Sequence, residues 1–190
     1  MRIISQNLTN YDIPIPKDAI FRVNLAWCDS LEELKLILKK HNKNPIFLDL
    51  PIKRIKPPNN KYTLEDLIPI IESHKQIRYF AVSNVESYSD LTNYNKLIPQ
   101  NVIIVPKIES PIAISNIAEI SKALRGPKKI IMLDHDDLFS SLVRNNEPES
   151  KFKEYVRKLI EFCNENNIIL LRTVGVIFSD DEKRITQYIK

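Results

Sequence analysis

A lysine and several carboxylates lie beside two apolar runs in residues 102–138, VIIVPKIESPIAISNIAEISKALRGPKKIIMLDHDDL. The side chains that could bind a cation or an anion follow these runs: Lys107, Glu109, Asp134, Asp136 and Asp137. Carboxylate oxygens are usual protein ligands of Mg²⁺, and an ammonium group beside them suits an anionic substrate. These residue types predict a divalent-cation site that takes a small anionic substrate. The alternative is a solvated acidic turn with an exposed lysine.

The elements around these residues form one predicted strand–helix–strand unit. The runs at residues 102–105 and 128–133 predict strands, and Ser-Pro at residues 110–111 predicts the N-cap and first position of a helix between them. Strands joined in this way are parallel, so their charged carboxyl ends meet at one edge of the sheet, where α/β folds bind ligands. Lys107 and Glu109 face the same side if the first strand continues that far.

The same alternation of strand and helix covers the rest of the chain. Further predicted strands lie at residues 1–5, 20–27, 45–50, 76–83 and 168–174. Predicted helices follow the capping residues Ser30, Thr63 and Ser87, span residues 151–165, and begin again at Asp180. Short turns between these elements predict a parallel sheet, which fits an open doubly wound sheet or a (β/α) barrel.

Polar residues on strand faces favour the barrel. In residues 20–27, Arg22 and Asn24 lie on the face opposite the apolar side chains, and in the next strand Asp49 shares a face with Phe47. If helices cover the apolar face, Arg22 and Asn24 point into the space that the sheet encloses. We therefore predict an α/β fold, a shortened TIM-type (β/α) barrel of seven strands, in one domain over residues 1–190. Its two edge strands predict a homo-oligomer or a covering segment.

Composition narrows the class of protein. The 190 residues are 43% hydrophobic and 27% charged, which is typical of a globular domain. No membrane span or signal peptide is apparent, and two cysteines, Cys28 and Cys163, predict neither a disulfide framework nor a zinc site. We expect a cytoplasmic protein. Its two glycines exclude P-loop and dinucleotide-binding motifs.

The net charge of +4 is weak evidence for a nucleic-acid partner. The compact basic cluster Lys53, Arg54 and Lys56 is interpreted as part of a solvated loop. A role in binding a polyanion is the alternative for this cluster.

Six segments, in the same order, resemble the barrel domain of pyruvate kinase. PKIESPIAISNIAEI is similar to the family's Lys-Ile-Glu segment, and IIMLDHDDL is similar to its Ile-Met-Val-Ala-Arg-Gly-Asp-Leu segment. The others are FRVNLAWCDSLEEL, IFLDLPIKRIK, FAVSNVES and LIEFCNENNIILLRTVG. Aldolases and lyases of the citrate-lyase type share a related barrel and a similar Ile-Glu…Asp-Leu pattern.

The resemblance implies roles for individual residues. Lys107 matches the lysine that acts on the enolate oxygen or the transferring phosphoryl group, and Arg22 matches an arginine that contacts phosphate. Glu109 and Asp137 match the two carboxylates that hold Mg²⁺ or Mn²⁺ on the oxo acid. Two further positions match ligands of a monovalent cation: Asn24 and Asp49.

Several positions depart from the family pattern. Asp136 replaces a glycine that approaches the substrate carboxylate, and His135 replaces an arginine. Val174 replaces the catalytic threonine, with Thr173 beside it, while the inserted lid is reduced to residues 51–61. From these 190 residues we expect no counterpart of the family's carboxy-terminal domain.

Two functions therefore remain open. The first is a divalent-metal-dependent enzyme, a transferase or carbon–carbon lyase, acting on phosphoenolpyruvate, pyruvate or a related 2-oxo acid through an enolate. The second is a catalytically inactive binding or scaffold protein. Ordinary pyruvate kinase turnover is not expected, because phosphoryl transfer needs many groups positioned together.

Overall fold

The computed structural model describes residues 3–5, 18–52 and 61–172. The predictions for Thr173, Val174, the basic cluster at residues 53–56 and the last helix from Asp180 lie outside the described residues. The remaining predictions can be compared with the structure directly.

Within the described residues the strands form one seven-stranded sheet, in which every hydrogen-bonded neighbour is parallel and the strand order follows the chain order. The strands are β1 Ile3–Ser5, β2 Ile20–Asn24, β3 Ile46–Leu50, β4 Ile77–Val82, β5 Ile103–Ile108, β6 Ile130–Leu133 and β7 Ile169–Arg172. This confirms the predicted α/β class and the predicted parallel sheet.

From β2 onwards, helices connect the described strands and cover one face of the sheet. They are α1 Leu31–Lys40, α2 Leu64–Ser73, α3 Thr92–Leu97, α4 Pro111–Ser115, α5 Ile117–Lys122, α6 His135–Arg144 and α7 Lys151–Glu165. Side-chain caps begin several of them as predicted: Ser30 accepts from the Glu33 N–H at 3.0 Å, and Thr63 forms a capping box with Asp66. No described helix is both long enough and apolar enough to cross a membrane.

The sheet has two different faces because its side chains alternate along each strand. The outer face, which includes Phe21, Val23 and Phe80, packs with the helices in the large apolar core. The inner face carries a smaller cluster built around Phe47 and Val105. Towards the carboxyl ends of the strands this inner face becomes polar. The sheet is curled as in a half-barrel, so inner side chains from different strands converge.

The predicted strand at residues 20–27 is shorter in the structure. Strand β2 ends at Asn24, and Leu25–Trp27 forms a turn of 3₁₀ helix. The cause is local, since the Asn24 side chain accepts a hydrogen bond from the Ala26 N–H at 3.0 Å. As a result Trp27 is 55% exposed instead of packing in the core with Phe21.

Two helix predictions and one turn prediction also change. The helix after Ser110 is divided at Asn116, whose side chain donates to the Glu86 carbonyl at 2.9 Å. The helix predicted from Ser87 begins only at Thr92, after a 3₁₀ turn. The turn predicted at residues 135–137 is instead the first turn of α6, which has Asp134 as its N-cap.

Candidate functional site

Lys107 is the centre of a buried polar cluster at the carboxyl ends of the strands. It lies near the end of β5 and is only 5% exposed. Its Nζ lies 2.6 Å from a Glu109 oxygen, 3.4 Å from Asp134 Oδ2 and 4.0 Å from Asp49 Oδ2. It also donates to Ser83 Oγ at 3.3 Å. Strands β3, β4, β5 and β6 therefore each contribute, directly or just beyond their last residue, to the surroundings of one ammonium group.

Arg22 extends this cluster to β2. Its Nε donates to Asp49 Oδ2 at 3.1 Å, and a second guanidinium nitrogen contacts the same oxygen. Asp49 is 1% exposed, so a cation must accompany its charge. The predicted Arg22 and Asp49 thus lie together, whereas the predicted Asn24 uses its side-chain oxygen to cap the following 3₁₀ turn.

Glu109 is held from both sides. Lys107 contacts one carboxylate oxygen, and the other, Oε2, accepts the backbone N–H of Asn84 at 2.6 Å. Asn84 adopts a left-handed backbone with φ of +53°, a conformation that asparagine tolerates better than most residues. Its side chain donates to the Ile52 carbonyl at 2.5 Å. This arrangement fixes Glu109 against the loop that follows β3.

Three carboxylates could hold a metal ion together. One oxygen from each of Glu109, Asp134 and Asp137 lies within 4.8 Å of the others. Glu109 is buried, Asp134 is partly buried and Asp137 is exposed, so the group connects the interior to solvent. The sequence had predicted Glu109 and Asp137 as the ligands.

Asp134 and Ser83 join the cluster, although the sequence predicted no specific role for Asp134 and did not single out Ser83. Asp134 was visible as an acid after a strand, and one of its oxygens accepts the Asp137 N–H at 3.4 Å as a helix cap. Its other oxygen faces Lys107. Ser83 was visible through its alternation with Ala81, but a serine near a strand end carries no specific signal.

Burial and charge act in opposite directions on Lys107. Burial alone would lower the pKa of Lys107, but Asp49, Glu109 and Asp134 outweigh it and raise this pKa above its usual value. Burial raises the pKa of Glu109, and the nearby ammonium and the Asn84 N–H offset only part of that effect. Burial would likewise lower the pKa of Arg22, but Asp49, together with Asp134 and Glu109, outweighs burial and raises this pKa. The lysine and arginine are therefore held as cations.

Two predicted positions lie apart from the three carboxylates. Asp136 is exposed in the first turn of α6 and is not part of the carboxylate group. His135 Nε2 lies 3.0 Å from an Arg172 guanidinium nitrogen, and its ring lies 6.3 Å from that of Phe152. This histidine therefore contacts β7 and α7. Thr173 lies outside the described residues.

The chemistry of the cluster follows from its charge. Four acidic side chains (Asp49, Glu109, Asp134 and Asp137) surround two cationic ones, Lys107 and Arg22. The oxygens of Glu109, Asp134 and Asp137 form an oxygen-rich group, and such a group suits a hard divalent cation.

The fold and site together define an α/β protein with a curled parallel sheet and an acidic cluster at its carboxyl edge. No family model matches the chain, and no curated protein matches it. Among solved structures it is similar to RipC from Yersinia pestis, with a TM-score of 0.60 and 14% sequence identity. The similarity covers 88% of this chain and 75% of RipC, and at that identity it shows the fold alone.

Proposed function

We propose that this chain is a divalent-metal-dependent enzyme on a shortened barrel of the pyruvate-kinase type. It acts on phosphoenolpyruvate, pyruvate or a related 2-oxo acid through an enolate. The observation that carries the proposal is the convergence of Lys107 with Glu109, Asp134 and Asp137 at the carboxyl edge of the sheet. Enolate chemistry needs an electrophilic metal and a fixed cation beside the developing negative charge.

The carboxylates fit Mg²⁺ or Mn²⁺. Glu109, Asp134 and Asp137 would hold the ion, since their oxygens already lie within 4.8 Å of one another. A bound divalent ion supplies Lewis acidity towards the carboxylate and keto oxygens of an oxo acid. Glu109 is suited to this role because Asn84 fixes one of its oxygens at 2.6 Å and so orients the other.

Lys107 and Arg22 would bind and stabilise the negative charges of the substrate. Lys107 is buried and held charged by its acidic neighbours, so it would stabilise negative charge on an enolate oxygen. Arg22 keeps part of its guanidinium at the surface of the cluster and would orient a phosphate or second carboxylate. Asp49 positions both cations, because its Oδ2 contacts Arg22 and lies 4.0 Å from Lys107 Nζ.

Carbon–carbon cleavage or condensation fits these residues better than phosphoryl transfer to a nucleotide. Asp136 brings a negative side chain to the position where the resembling family has glycine. Like charges about 4 Å apart repel by about 4 kcal/mol at an effective dielectric near 20. Asp136 is exposed, which supports the expectation that its side chain turns away from Glu109, Asp134 and Asp137. Phosphoenolpyruvate would then lack part of the site that binds it in pyruvate kinase. Turnover of phosphoenolpyruvate and ADP should therefore be undetectable.

Calorimetric titration with Mg²⁺ and oxalate, an enolate mimic, tests the proposal. Wild-type protein should bind oxalate only when Mg²⁺ is present. Asp137→Asn should weaken this binding at least tenfold, whereas the matched control Asp136→Asn, one residue away and also exposed, should retain it. No heat from either ligand, alone or together, would overturn the metal-enzyme proposal.

A scaffold function is the second candidate, and the observation that favours it is the short Lys107–Glu109 contact. At 2.6 Å the ammonium already compensates Glu109, so the cluster could serve only to join strands. The two functions differ in the Glu109→Gln variant. A metal enzyme loses its cation and keeps its fold, while a purely structural pair loses stability and has no metal affinity to lose.

A further inference from the structure

The amino ends of β3 and β4 form a basic cleft, on the opposite edge of the sheet from the carboxylates. Its volume is about 410 Å³. The residues that could bind a ligand there are Asn42, Lys43, Lys75, Gln76, Arg78 and Tyr79. They come from the α1–β3 and α2–β4 connections and from the first residues of β4. The cleft is wide open to solvent, so a ligand there would be held by charge and hydrogen bonds and not by enclosure.

The charge of this cleft is uncompensated within the described residues. Lys43, Lys75 and Arg78 are all exposed, no acidic residue lines the cleft, and none of the three forms an ion pair with a described carboxylate. Three like charges in one cleft repel each other. An anion in the cleft would convert that repulsion into attraction.

A β-bulge contributes Arg78 to the cleft. Ile46 pairs with Ile77, but the next residue, Phe47, pairs with Tyr79, so Arg78 is an additional residue without a partner on β3. Bulges redirect side chains and are uncommon between parallel strands. The strand irregularity therefore coincides with the one arginine of the cleft.

The loops that carry these cations are held in place by hydrogen bonds. The Ile46 N–H donates to the Gln76 carbonyl at 2.7 Å, and the Gln76 side chain donates to the Leu38 carbonyl at 3.3 Å. Asn44 is tied to the Ala19 carbonyl at 3.1 Å. Because these contacts fix both connections relative to each other, the cleft is preorganised, which lowers the entropic cost of binding.

We propose that this cleft binds a small ligand carrying two or more phosphate groups, a nucleoside diphosphate or triphosphate. Three cations match the charge of a diphosphate, while the exposed amide of Asn42 adds hydrogen-bonding groups. The volume leaves space for a nucleoside beside the phosphates. This site is separate from the carboxylate cluster and does not depend on the proposed function.

Titration with ADP in EDTA at low salt tests the cleft, because the chelator removes any divalent ion from the carboxylates. Wild-type protein should bind ADP, pyrophosphate should compete, and added NaCl should weaken binding. The triple variant Lys43→Gln, Lys75→Gln, Arg78→Gln should lose at least tenfold in affinity. A control with the same charge change at exposed positions outside the cleft should bind as wild type does: Lys35→Gln, Lys153→Gln, Arg144→Gln.

Three outcomes would overturn the proposal. The first is that wild-type protein does not bind ADP at millimolar concentration, and the second is that the two triple variants lose equal affinity for ADP. The third is that a single-stranded oligonucleotide binds more tightly than ADP does and depends on the same three cations. The last result would assign the cleft to nucleic acid. All substituted residues are exposed, so unchanged thermal unfolding should show that each variant folds.

Discussion

The cationic side chains at the two ends of the sheet differ in their burial and in their acidic partners. At the carboxyl end, Lys107 is 5% exposed and has three acidic neighbours within 4.0 Å. At the amino end, Lys75 and Arg78 are exposed and have no described acidic partner. Buried charges must be compensated by the fold itself, whereas exposed ones are compensated by solvent or a ligand. The carboxyl end is therefore a polar network whose charges compensate one another, whereas the amino end is a basic surface whose charge a bound anion would compensate.

Removal of the buried lysine should have the largest effect. Lys107→Met removes the cation shared by Glu109, Asp134 and Asp49, and of these three carboxylates Asp49 still has Arg22. Because the buried Glu109 loses its cation, stability should fall by about 3–5 kcal/mol. In a domain of this size that corresponds to a melting temperature about 10 °C lower. Mg²⁺ should recover more stability in this variant than in wild-type protein, because it replaces the lost positive charge.

Thermal unfolding with and without Mg²⁺ measures both effects. Lys153→Met, at an exposed position of α7, is the matched control and should change little. If Mg²⁺ leaves the melting temperature of Lys107→Met unchanged, the carboxylates do not bind the ion.

Glu109→Gln should have a smaller effect on stability and a larger one on metal binding. Lys107 keeps Asp134 at 3.4 Å and Asp49 at 4.0 Å, so we expect a loss of about 1–2 kcal/mol. Mn²⁺ affinity, measured by electron paramagnetic resonance, should fall at least tenfold. A variant that binds Mn²⁺ as tightly as wild-type protein would exclude Glu109 as a ligand.

Two substitutions of Asn84 test whether the left-handed backbone that presents its N–H to Glu109 contributes to stability. Asn84→Gly keeps the φ of +53° accessible and retains the N–H that Glu109 accepts, so it loses only the 2.5 Å bond to Ile52. Asn84→Ala adds backbone strain and should be less stable than Asn84→Gly by about 1 kcal/mol. Chemical denaturation of the pair measures the difference, and equal stability would contradict the left-handed conformation.

The amino end should show the smallest response. Lys75→Gln removes an exposed cation from a group of like charges, so stability should change by no more than about 0.5 kcal/mol. Thermal unfolding in low salt checks this. A loss as large as that expected for Lys107→Met would mean that Lys75 has a structural partner, and the contrast between the two ends would fail.

Alternation along strands predicted much of the fold and site. It placed Arg22 opposite the apolar face of β2 and put Lys107 and Glu109 on one face, and the structure brings these side chains into one cluster. Helix α7 was predicted with its observed bounds because its apolar period is strong and its loops are polar.

The missed features depend on contacts that a sequence does not encode locally. Asp134 is recognisable as a helix cap, but only the structure brings its second oxygen to Lys107. Asn84 adopts a left-handed backbone conformation when its N–H donates to Glu109, and no short sequence motif predicts that conformation. The bulge at Arg78 is a property of the register between β3 and β4, so it appears only when both strands are placed.

Crystals of the wild-type protein soaked in Mn²⁺ test the central claim most directly through the anomalous signal of the metal. The account predicts one strong peak with oxygens of Glu109, Asp134 and Asp137 each at about 2 Å, the distance typical of small divalent ions. Lys107 Nζ should then have moved from Glu109 towards Ser83 and Asp49, which already lie at 3.3 Å and 4.0 Å. Absence of a peak, with the Lys107–Glu109 contact still at 2.6 Å, would contradict the metal site and favour the structural network.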